Sequence, residues 1–372
     1  MGEQNLWRVM SATLKKMKPY LAMISLQFGY AGMYIVTLVS FKRGFSHWTF
    51  VVYRHAVATL FFAPFAYFFE KKIRPEMTKS ILFKIMLLAF LEPVVDQNLY
   101  GVGIQYTSAT FAAASVNVLP AITFIMAVIF RMEKVNLKTV HSLAKVTGTL
   151  ITVIGAMVMT LYKGPALAIF HGGNNHHAAA TSSSADQHWV TGTIMMLSCI
   201  VGWAGFFILQ NKTLKEYRAP LSLTSLICVM GTLEGGVVAL VMERRKSAWA
   251  IGFDSRLLAA VYSGIVCSGI AYYLQSLVNR TRGPVFVTAF SPLSMIITAV
   301  LGAMVLAEQV HLGSLIGAVI IVSGLYSVVW GKRKESSDKA QELPVVDSDI
   351  ILNNVIDPKI LDNKKNPLQQ KP

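Results

Sequence analysis

The sequence predicts an all-α polytopic membrane protein in which ten transmembrane helices form a 5+5 inverted repeat. Three observations support this prediction: an apolar composition, ten apolar runs of membrane-spanning length, and a second half that resembles the first. Of the 372 residues, 54% are hydrophobic and 14% are charged, whereas a soluble domain carries about 25% charged residues. This composition argues against a water-soluble enzyme, a disordered regulator and a fibrous protein.

Ten runs are close to the length of about 20 residues that crosses a bilayer as a helix. We name them spans 1 to 10, in chain order: Pro19–Phe41, His47–Phe69, Ser80–Tyr100, Ser108–Phe130, Leu143–Tyr162, Trp189–Gln210, Ala219–Met242, Leu257–Val278, Pro284–Ala307 and Leu312–Trp330. Most of them are apolar on every side, unlike an amphipathic surface helix. The alternating segments of about ten residues that are typical of a β-barrel do not occur.

The distribution of basic residues between the loops predicts the orientation of these spans. With the N-terminus in the cytosol, 19 basic residues lie on the cytosolic side: Arg8, Lys15, Lys16, Lys18, Lys71, Lys72, Arg74, Lys79, Arg131, Lys134, Lys138, Lys212, Lys215, Arg218, Arg280, Arg282, Lys332, Arg333 and Lys334. The opposite side has 7: Lys42, Arg43, Lys163, Arg244, Arg245, Lys246 and Arg256. Because cytosolic loops of membrane proteins are enriched in Lys and Arg, both termini are predicted to be cytosolic. The net charge of +15 therefore does not require nucleic acid as a partner.

The segments outside the spans are predicted to be connectors. Residues 1–18 form a cytosolic N-terminus, residues 163–188 a flexible linker on the non-cytosolic side, and residues 332–372 a disordered cytosolic tail, because these segments are polar and the tail has few aromatic residues. The sequons at Asn211 and Asn279 would face the cytosol and carry no glycan.

The second half of the chain repeats the first at an offset of about 172 residues. The matches, in order, are Gly29-Tyr30-Ala31-Gly32 with Gly202-Trp203-Ala204-Gly205, Glu70-Lys71-Lys72 with Glu243-Arg244-Arg245, Tyr100 with Tyr272, Pro120 with Pro292, and Gly148, Gly155 and Lys163 with Gly317, Gly324 and Lys332. Each half, 19–162 and 189–331, holds five spans, so the second half enters the membrane from the opposite side. Inverted repeats of this kind are typical of secondary transporters.

Span 3 contains the largest group of polar residues within the predicted membrane: Glu92, Asp96, Gln97 and Asn98, followed by Tyr100. Ionisable residues at this depth are costly and therefore indicate function. Glu92 and Asp96 are four residues apart, which places them on one face of an α-helix. The pair is predicted to carry a proton or to bind a substrate ammonium group; the alternative is a structural polar patch.

Three prolines lie inside predicted spans: Pro93, Pro120 and Pro292. Because proline has no backbone N–H, each is predicted to kink its helix, and Pro120 and Pro292 are predicted to free the carbonyls of Val116 and Thr288. Kinked helices around a midplane cavity are typical of transporters. The alternative is that proline is simply frequent in membrane helices.

Other polar and aromatic residues are predicted to line the same cavity. Asn117, Gln275 and Gln27 are candidates for substrate contacts, with interhelical hydrogen bonds as the alternative. Arg54, in span 2, is predicted either to meet a substrate carboxylate or the Glu92/Asp96 pair, or to extend towards the membrane surface. The aromatic residues Tyr30, Trp203, Tyr100 and Tyr272 would shape the cavity.

The sequence contains no Walker A loop, no His-Glu-x-x-His motif and no nucleophile elbow, so neither ATP-driven pumping nor hydrolysis is predicted. The chain is not predicted to be an enzyme or to need a cofactor or metal. No basic domain with interleaved aromatic residues indicates nucleic-acid binding. The predicted partners are a small-molecule substrate and the lipid bilayer, with homo-oligomer formation left open.

Several motifs resemble the plant nodulin-21-like family, also called walls-are-thin-related or UMAMIT, which consists of EamA-type members of the drug/metabolite transporter superfamily. The motifs are Leu26-Gln27-Phe28-Gly29-Tyr30-Ala31-Gly32, Tyr53-Arg54, Pro64-Phe65-Ala66-Tyr67-Phe68-Phe69-Glu70-Lys71-Lys72, Leu119-Pro120-Ala121-Ile122-Thr123-Phe124, Arg131-Met132-Glu133-Lys134-Val135, Leu161-Tyr162-Lys163-Gly164-Pro165 and Arg282-Gly283-Pro284-Val285-Phe286. The resemblance runs from about Pro19 to Lys334.

The resemblance implies a ten-helix carrier with two EamA repeats in the plasma membrane, or alternatively the tonoplast. It also implies export or bidirectional transport of amino acids by alternating access, with auxin or another small metabolite as the alternative cargo. The run from Glu92 to Tyr100 resembles the branch that exports amino acids more than the branch associated with auxin. A membrane scaffold without transport activity is the third hypothesis.

Overall fold

A computed structural model describes residues 2–107, 111, 115–133, 135–136, 138–162, 165–167, 189–305 and 310–342. Helical segments occur in all ten predicted spans, and their bounds, in chain order, are Gly2–Lys42; His47–Glu70; Lys79–Ala89, Phe90–Asp96 and Gln97–Tyr106; Leu119–Ile129; Val140–Leu161; Trp189–Glu216; Pro220–Met242; Ser255–Tyr262, Ser263–Ile270 and Ala271–Arg282; Pro284–Ala289 and Leu293–Val305; and Leu312–Glu342. A 3₁₀ turn, Lys246–Trp249, precedes span 8. Two-residue strands at Ala166–Leu167 and Val310–His311 pair antiparallel.

Within the described residues, eight helices are long and apolar enough to cross a membrane. They correspond to spans 1, 2 and 5 to 10. Span 3 is continuous from Lys79 to Tyr106, but Lys84, Glu92 and Asp96 make it more polar than the others. In span 4 the structure describes the shorter apolar helix Leu119–Ile129. The all-helical polytopic prediction is therefore confirmed. The two spans not counted among the eight are span 3, which is the most polar, and span 4, whose helix is interrupted.

The two halves deviate from regular α-helix at corresponding positions. Spans 3 and 8 each contain a π-helical segment, Phe90–Asp96 and Ser263–Ile270. Their first residues are separated by the repeat offset. A π-helix carries an extra residue in each turn, and such segments often occur at functional sites. The repeat therefore preserves a local irregularity in the backbone as well as a helix order.

The prolines of spans 4 and 9 interrupt their helices instead of kinking them, which corrects the prediction. Pro120 lies in the first turn of Leu119–Ile129, after a turn at residues 117–118. Pro292 lies in the turn between Pro284–Ala289 and Leu293–Val305. Proline suits the first turn of a helix because the N–H it lacks has no helical partner there. The Thr288 carbonyl is not left free either, since it accepts a hydrogen bond from the Ser291 N–H at 3.0 Å.

Spans 5 and 10 pack with their backbones in close contact through repeat-related glycines. A Cβ atom on Gly148 would lie 2.8 Å from the carbonyl oxygen of Gly324, and one on Gly317 would lie 2.7 Å from that of Gly155. Each glycine of one repeat thus meets the non-equivalent glycine of the other, as expected for two antiparallel helices related by a pseudo-twofold axis. Small residues allow helices to approach this closely in membranes.

Spans 2 and 7 also pack along each other, and repeat-related glutamates connect their ends. At the end of span 2, Glu70 accepts hydrogen bonds from the backbone N–H groups of Leu221 (3.1 Å) and Ser222 (2.6 Å), which open span 7. The free N–H groups of a helix N-terminus favour such a carboxylate. At the end of span 7, Glu243 hydrogen-bonds the side chain of Ser46, just before span 2 begins. One glutamate therefore joins the two helices at each membrane face.

Four charged residues form a buried network near the predicted cytosolic face. Lys145 of span 5 donates to Glu133 (3.1 Å) and to Glu335 (2.7 Å), and Lys332 donates to the other oxygen of Glu133. Glu335 and Lys332 belong to the helix of span 10, which continues to Glu342. The helix thus extends past the predicted domain boundary at Lys332. Of the predicted linker the structure describes residues 165–167, which include the strand Ala166–Leu167. The rest of the linker, and the tail beyond residue 342, lie outside the described residues.

Candidate functional site

The π-helical segment of span 3 places Glu92 among polar groups from other helices. Glu92 and Asp96 are 4% and 8% exposed, so both carboxyl groups are buried. Gln97 donates from Nε2 to Glu92 Oε1 at 3.0 Å. The Tyr272 hydroxyl of span 8 donates to Glu92 Oε2. Both carboxylate oxygens of Glu92 therefore accept hydrogen bonds, one from its own helix and one from the second repeat.

The π-helical backbone changes which residues share a face with Glu92. The hydrogen bond to Gln97 joins residues five apart, as the wider turn of a π-helix allows. The prediction of a Glu92/Asp96 pair assumed an α-helix with four-residue spacing. In the structure the two carboxyl groups have different hydrogen-bond partners, because Asp96 accepts from the thiol of Cys199 in span 6 at 2.9 Å.

Arg54 of span 2 is buried beside this group. It is 6% exposed and donates from Nε to Ser268 Oγ at 2.6 Å. The Arg54 side chain therefore points into the protein and not towards the membrane surface. Among the described residues, the guanidinium makes no other hydrogen bond, so its terminal nitrogens remain available as a fork for a carboxylate.

His55, the next residue, lies between Ser268, which accepts from Arg54, and Tyr272, which donates to Glu92. Its Nδ1 lies 2.8 Å from the carbonyl oxygen of Val51, which can only accept, so Nδ1 carries the hydrogen. Its Nε2 lies 3.4 Å from both Ser268 Oγ and Tyr272 Oη, and 3.9 Å from Glu92 Oε2. A second positive charge beside Arg54 would be unfavourable, so a neutral His55 accepts at Nε2.

Glycines allow the helices of spans 2, 3, 7 and 8 to come together. A Cβ atom on Gly264, in the π-helical segment of span 8, would lie 2.6 Å from the Arg54 carbonyl oxygen. One on Gly231, in span 7, would lie 2.8 Å from the ring of Pro93. Side chains larger than hydrogen at these positions would separate span 8 from span 2, and span 7 from the π-helical segment that carries Glu92.

A further hydrogen bond between the repeats lies close by. Gln275 of span 8 donates from Nε2 to the Tyr30 hydroxyl of span 1 at 2.8 Å, and Tyr30 is near enough to interact electrostatically with Arg54 and Glu92. Tyr100 is half-buried and interacts electrostatically with Asp96. Trp203 packs against Phe207, with 6.2 Å between ring centroids.

We name Arg54, His55, Glu92, Asp96, Gln97, Cys199, Ser268 and Tyr272 the hydrogen-bonded group. The structure places the remaining predicted site residues as follows. Asn98 is buried and donates to the Val94 carbonyl of its own helix at 2.9 Å. Gln27 is buried in span 1, and Asn117 is buried at the interruption of span 4, near Pro120. Pro93 lies within the π-helical segment, and Pro292 at the interruption of span 9.

Three members of the group were not among the predicted site residues: His55, Ser268 and Cys199. The repeat contains a signal for Ser268, since this residue corresponds to Asp96 at the repeat offset. No comparable signal in the sequence identifies Cys199. Across the described ranges, no group of three or more histidine, cysteine, aspartate or glutamate side chains is arranged to hold a metal ion.

Comparison with known proteins identifies the family of this chain. The sequence matches the EamA-like transporter family over residues 17–161 and again over residues 190–330. It is 62% identical over 332 residues to the WAT1-related protein At1g21890 of Arabidopsis thaliana, covering 87% of this chain and 85% of that protein. It is 59% identical over 348 residues to the WAT1-related protein At4g08300 of the same plant, covering 90% and 92%.

A solved crystal structure with 15% sequence identity superposes with a TM-score of 0.62, over 86% of this chain and 97% of the other. At this identity the likeness shows the fold alone. The two family matches divide the chain into the same halves as the inverted repeat, and the relatives cover nearly the whole of it. The chain is a WAT1-related member of the EamA-like transporter family, a multi-pass membrane transporter built from two EamA repeats.

Proposed function

We propose that this transporter is a secondary carrier for amino acids that works by alternating access in the plasma membrane or the tonoplast. The observation that carries the proposal is the burial of one guanidinium and two carboxyl groups where the two repeats meet. An amino acid carries a carboxylate and an ammonium group, so it needs a cation and an anion at one site. Arg54 and Asp96 supply this pair.

Arg54 is the proposed carboxylate site. Its hydrogen bond to Ser268 uses Nε, which leaves the two terminal nitrogens to form parallel hydrogen bonds with a carboxylate. Burial strengthens such an interaction, because the protein interior has a lower dielectric constant than water. A lysine would keep the charge at this position but lose the planar fork.

Asp96 is the proposed ammonium site. Its described partner is the thiol of Cys199, which is a weak donor. An ammonium group would replace this weak hydrogen bond by a charged one. Glu92 is less suited to this role, because Tyr272 and Gln97 already donate to its two oxygens. Rocking of one repeat against the other would expose the site alternately to the two sides of the membrane.

The proposal can be tested by flux measurements on purified protein in lipid vesicles. We expect a radiolabelled amino acid to exchange across vesicles that contain the wild-type protein. Asp96→Asn should lower this exchange by at least about tenfold, because one hydrogen bond to a charged group contributes about 1.5–3 kcal/mol. Glu234→Gln is the matched control, since Glu234 is an acidic residue of span 7 outside the group.

The alternative cargo, auxin or another carboxylate without an ammonium group, gives a different outcome in the same assay. Such a substrate needs Arg54 but not Asp96, so Asp96→Asn would spare its transport while Arg54→Lys would reduce it. Absence of exchange by the wild-type protein for every amino acid in a panel would refute the proposed cargo.

A further inference from the structure

The hydrogen-bonded group contains one more carboxyl group than the proposed substrate needs. Asp96 and Arg54 are sufficient for a zwitterion, and this leaves Glu92 without a role in substrate binding. Yet Glu92 is buried, lies where the two repeats meet, and accepts from Tyr272 of the other repeat. Buried carboxyl groups inside a membrane are costly, so a second one indicates a second task.

The hydrogen atoms of the group can be assigned from the contacts. A guanidinium only donates, so Ser268 Oγ accepts from Arg54. The Ser268 hydrogen is then free to point at the lone pair of His55 Nε2, 3.4 Å away. The Tyr272 hydrogen points at Glu92. In this arrangement Glu92 is an anion. The hydrogen bonds Arg54–Ser268, Ser268–His55 and Tyr272–Glu92 cross between the repeats, in addition to those that Asp96 and Tyr30 accept.

We infer that Glu92 binds a proton that is transported together with the substrate, and that the Tyr272 hydroxyl links this proton to the contacts between the repeats. The inference rests on the proposed function. Arg54 is the one cation near Glu92 among the described residues, and a substrate carboxylate would compete with Glu92 for it. When the carboxylate binds Arg54, Glu92 loses its counter-charge and takes up a proton.

The proton rearranges hydrogen bonds without breaking any covalent bond. It adds to Glu92 Oε2, which then donates to the Tyr272 hydroxyl oxygen. The Tyr272 hydrogen turns to His55 Nε2, and the Ser268 hydrogen turns away to a carbonyl of its own helix, as serine commonly does within helices. When the proton binds, the Tyr272–Glu92 hydrogen bond thus reverses its direction, and the hydrogen bond to His55 Nε2 passes from Ser268 to Tyr272.

The ionisable neighbours of Glu92 support this assignment. They are Tyr30 of span 1, Arg54 and His55 of span 2, Asp96 of span 3, Cys199 of span 6, Cys228 of span 7, and Cys267 and Tyr272 of span 8. The thiols and tyrosines stay neutral in a buried site, and His55 is held neutral by Arg54. Glu92 and Asp96 are the carboxyl groups of this set, and Asp96 must be ionised to bind an ammonium group, which leaves Glu92 to carry the proton.

The experiment measures substrate exchange and proton movement in the same vesicles. Exchange of a labelled amino acid reports the proposed function, and a pH-sensitive dye in the lumen reports the inference. With wild-type protein, adding the unlabelled amino acid outside should acidify the lumen, because the proton and substrate enter together. Glu92→Gln should keep the exchange but abolish the acidification, whereas Glu234→Gln should retain both.

A second pair of variants tests the link through Tyr272. Tyr272→Phe removes one donor to the Glu92 carboxylate, so the pH profile of flux should shift by about one unit towards higher pH. The neighbouring Tyr273→Phe should leave the profile unchanged. If Glu92→Gln does not fold, the Tyr272→Phe and Tyr273→Phe variants and the lumen pH measured with wild-type protein still test the inference.

Each other outcome overturns the inference. Exchange without any lumen pH change, or with alkalinisation, refutes proton symport while the proposed cargo stands. Acidification that persists in Glu92→Gln refutes the assignment of the proton to this residue. Absence of amino-acid exchange in the wild type refutes both the cargo and the inference.

Discussion

Lys145 shows how strongly a single buried charge can depend on its partners. None of its surface is exposed, and it donates to both Glu133 and Glu335. Removing one partner of a buried ion pair leaves the opposite charge uncompensated, which is more damaging than losing the pair as a whole. The residue therefore has a larger effect on stability than its place near the cytosolic face would suggest.

We expect Lys145→Met to lower the free energy of unfolding by about 3–5 kcal/mol, because Glu133 and Glu335 would lose their shared cation. Thermal unfolding of the purified protein in detergent measures the change. Adding Glu335→Gln to this variant should restore part of the stability. Lys84→Met is the control, since the exposed Lys84–Glu216 pair should contribute no more than about 1 kcal/mol. Equal losses from Lys145→Met and Lys84→Met would contradict the prediction.

At the scale of the helices, the two halves share irregularities that repeat by position. Spans 3 and 8 carry the π-helical segments, spans 4 and 9 are interrupted at prolines, and spans 2 and 7 are joined by Glu70 and Glu243. These features place the polar group between helices of both repeats. The Glu243 end differs from the Glu70 end, because Arg245 also donates to Glu243.

The Glu243 contact makes stability depend on pH. The hydrogen bond from Arg245, followed by that from Ser46, lowers the pKa of Glu243 to about 2. A carboxyl group with a lowered pKa stabilises the folded state above its ordinary pKa, and this contribution is lost as the pH falls through the lowered value. We expect the melting temperatures of wild type and Glu243→Gln to differ at neutral pH and to converge between about pH 4.5 and pH 2.

Arg245 is three-quarters exposed, so water screens its charge and the difference should be small. Glu76→Gln is the control for a general effect of removing an acidic residue, because Glu76 is exposed in the loop that follows span 2. If the melting temperatures of wild type and Glu243→Gln differ by the same amount down to pH 2, the Glu243 contacts do not contribute to stability through ionisation.

At the scale of the whole molecule, the structure changes what the native sequons can reveal about orientation. Asn211 and Asn279 are buried, and Asn211 donates to the Asn279 carbonyl oxygen at 2.6 Å. Neither side chain is accessible for glycosylation on either side of the membrane. The absence of glycan on the wild-type protein would therefore not test the cytosolic orientation of the termini predicted by the basic residues.

New sequons in the predicted linker and the predicted tail provide the test. His176→Thr creates one at Asn174 in the predicted outer linker, and Val355→Thr creates one at Asn353 in the predicted cytosolic tail. We expect glycan on the first variant and none on the second, read as a shift in gel mobility that glycosidase treatment reverses. The opposite pattern would invert the orientation and place the Lys145 network on the non-cytosolic side.

The sequence by itself determined the class of the protein, its division into two inverted halves and the approximate ends of its helices. These features follow from hydrophobicity, charge distribution and self-similarity, which are properties of the order of residues alone. The same sequence also indicated most of the polar group, since Arg54, Glu92, Asp96, Gln97 and Tyr272 are costly or polar residues inside apolar spans.

The tertiary structure decided which of these residues meet. Four-residue spacing placed Glu92 beside Asp96, and the two carboxyl groups are electrostatic neighbours. Their hydrogen-bond partners differ: Glu92 accepts from Gln97 and Tyr272, and Asp96 accepts from Cys199. The direction of Arg54 and the roles of His55 and Ser268 depend on how spans 2 and 8 pack, with Gly264 against the Arg54 backbone. Contacts between residues some 200 positions apart are set by helix packing and backbone irregularity, and neither can be inferred from local spacing.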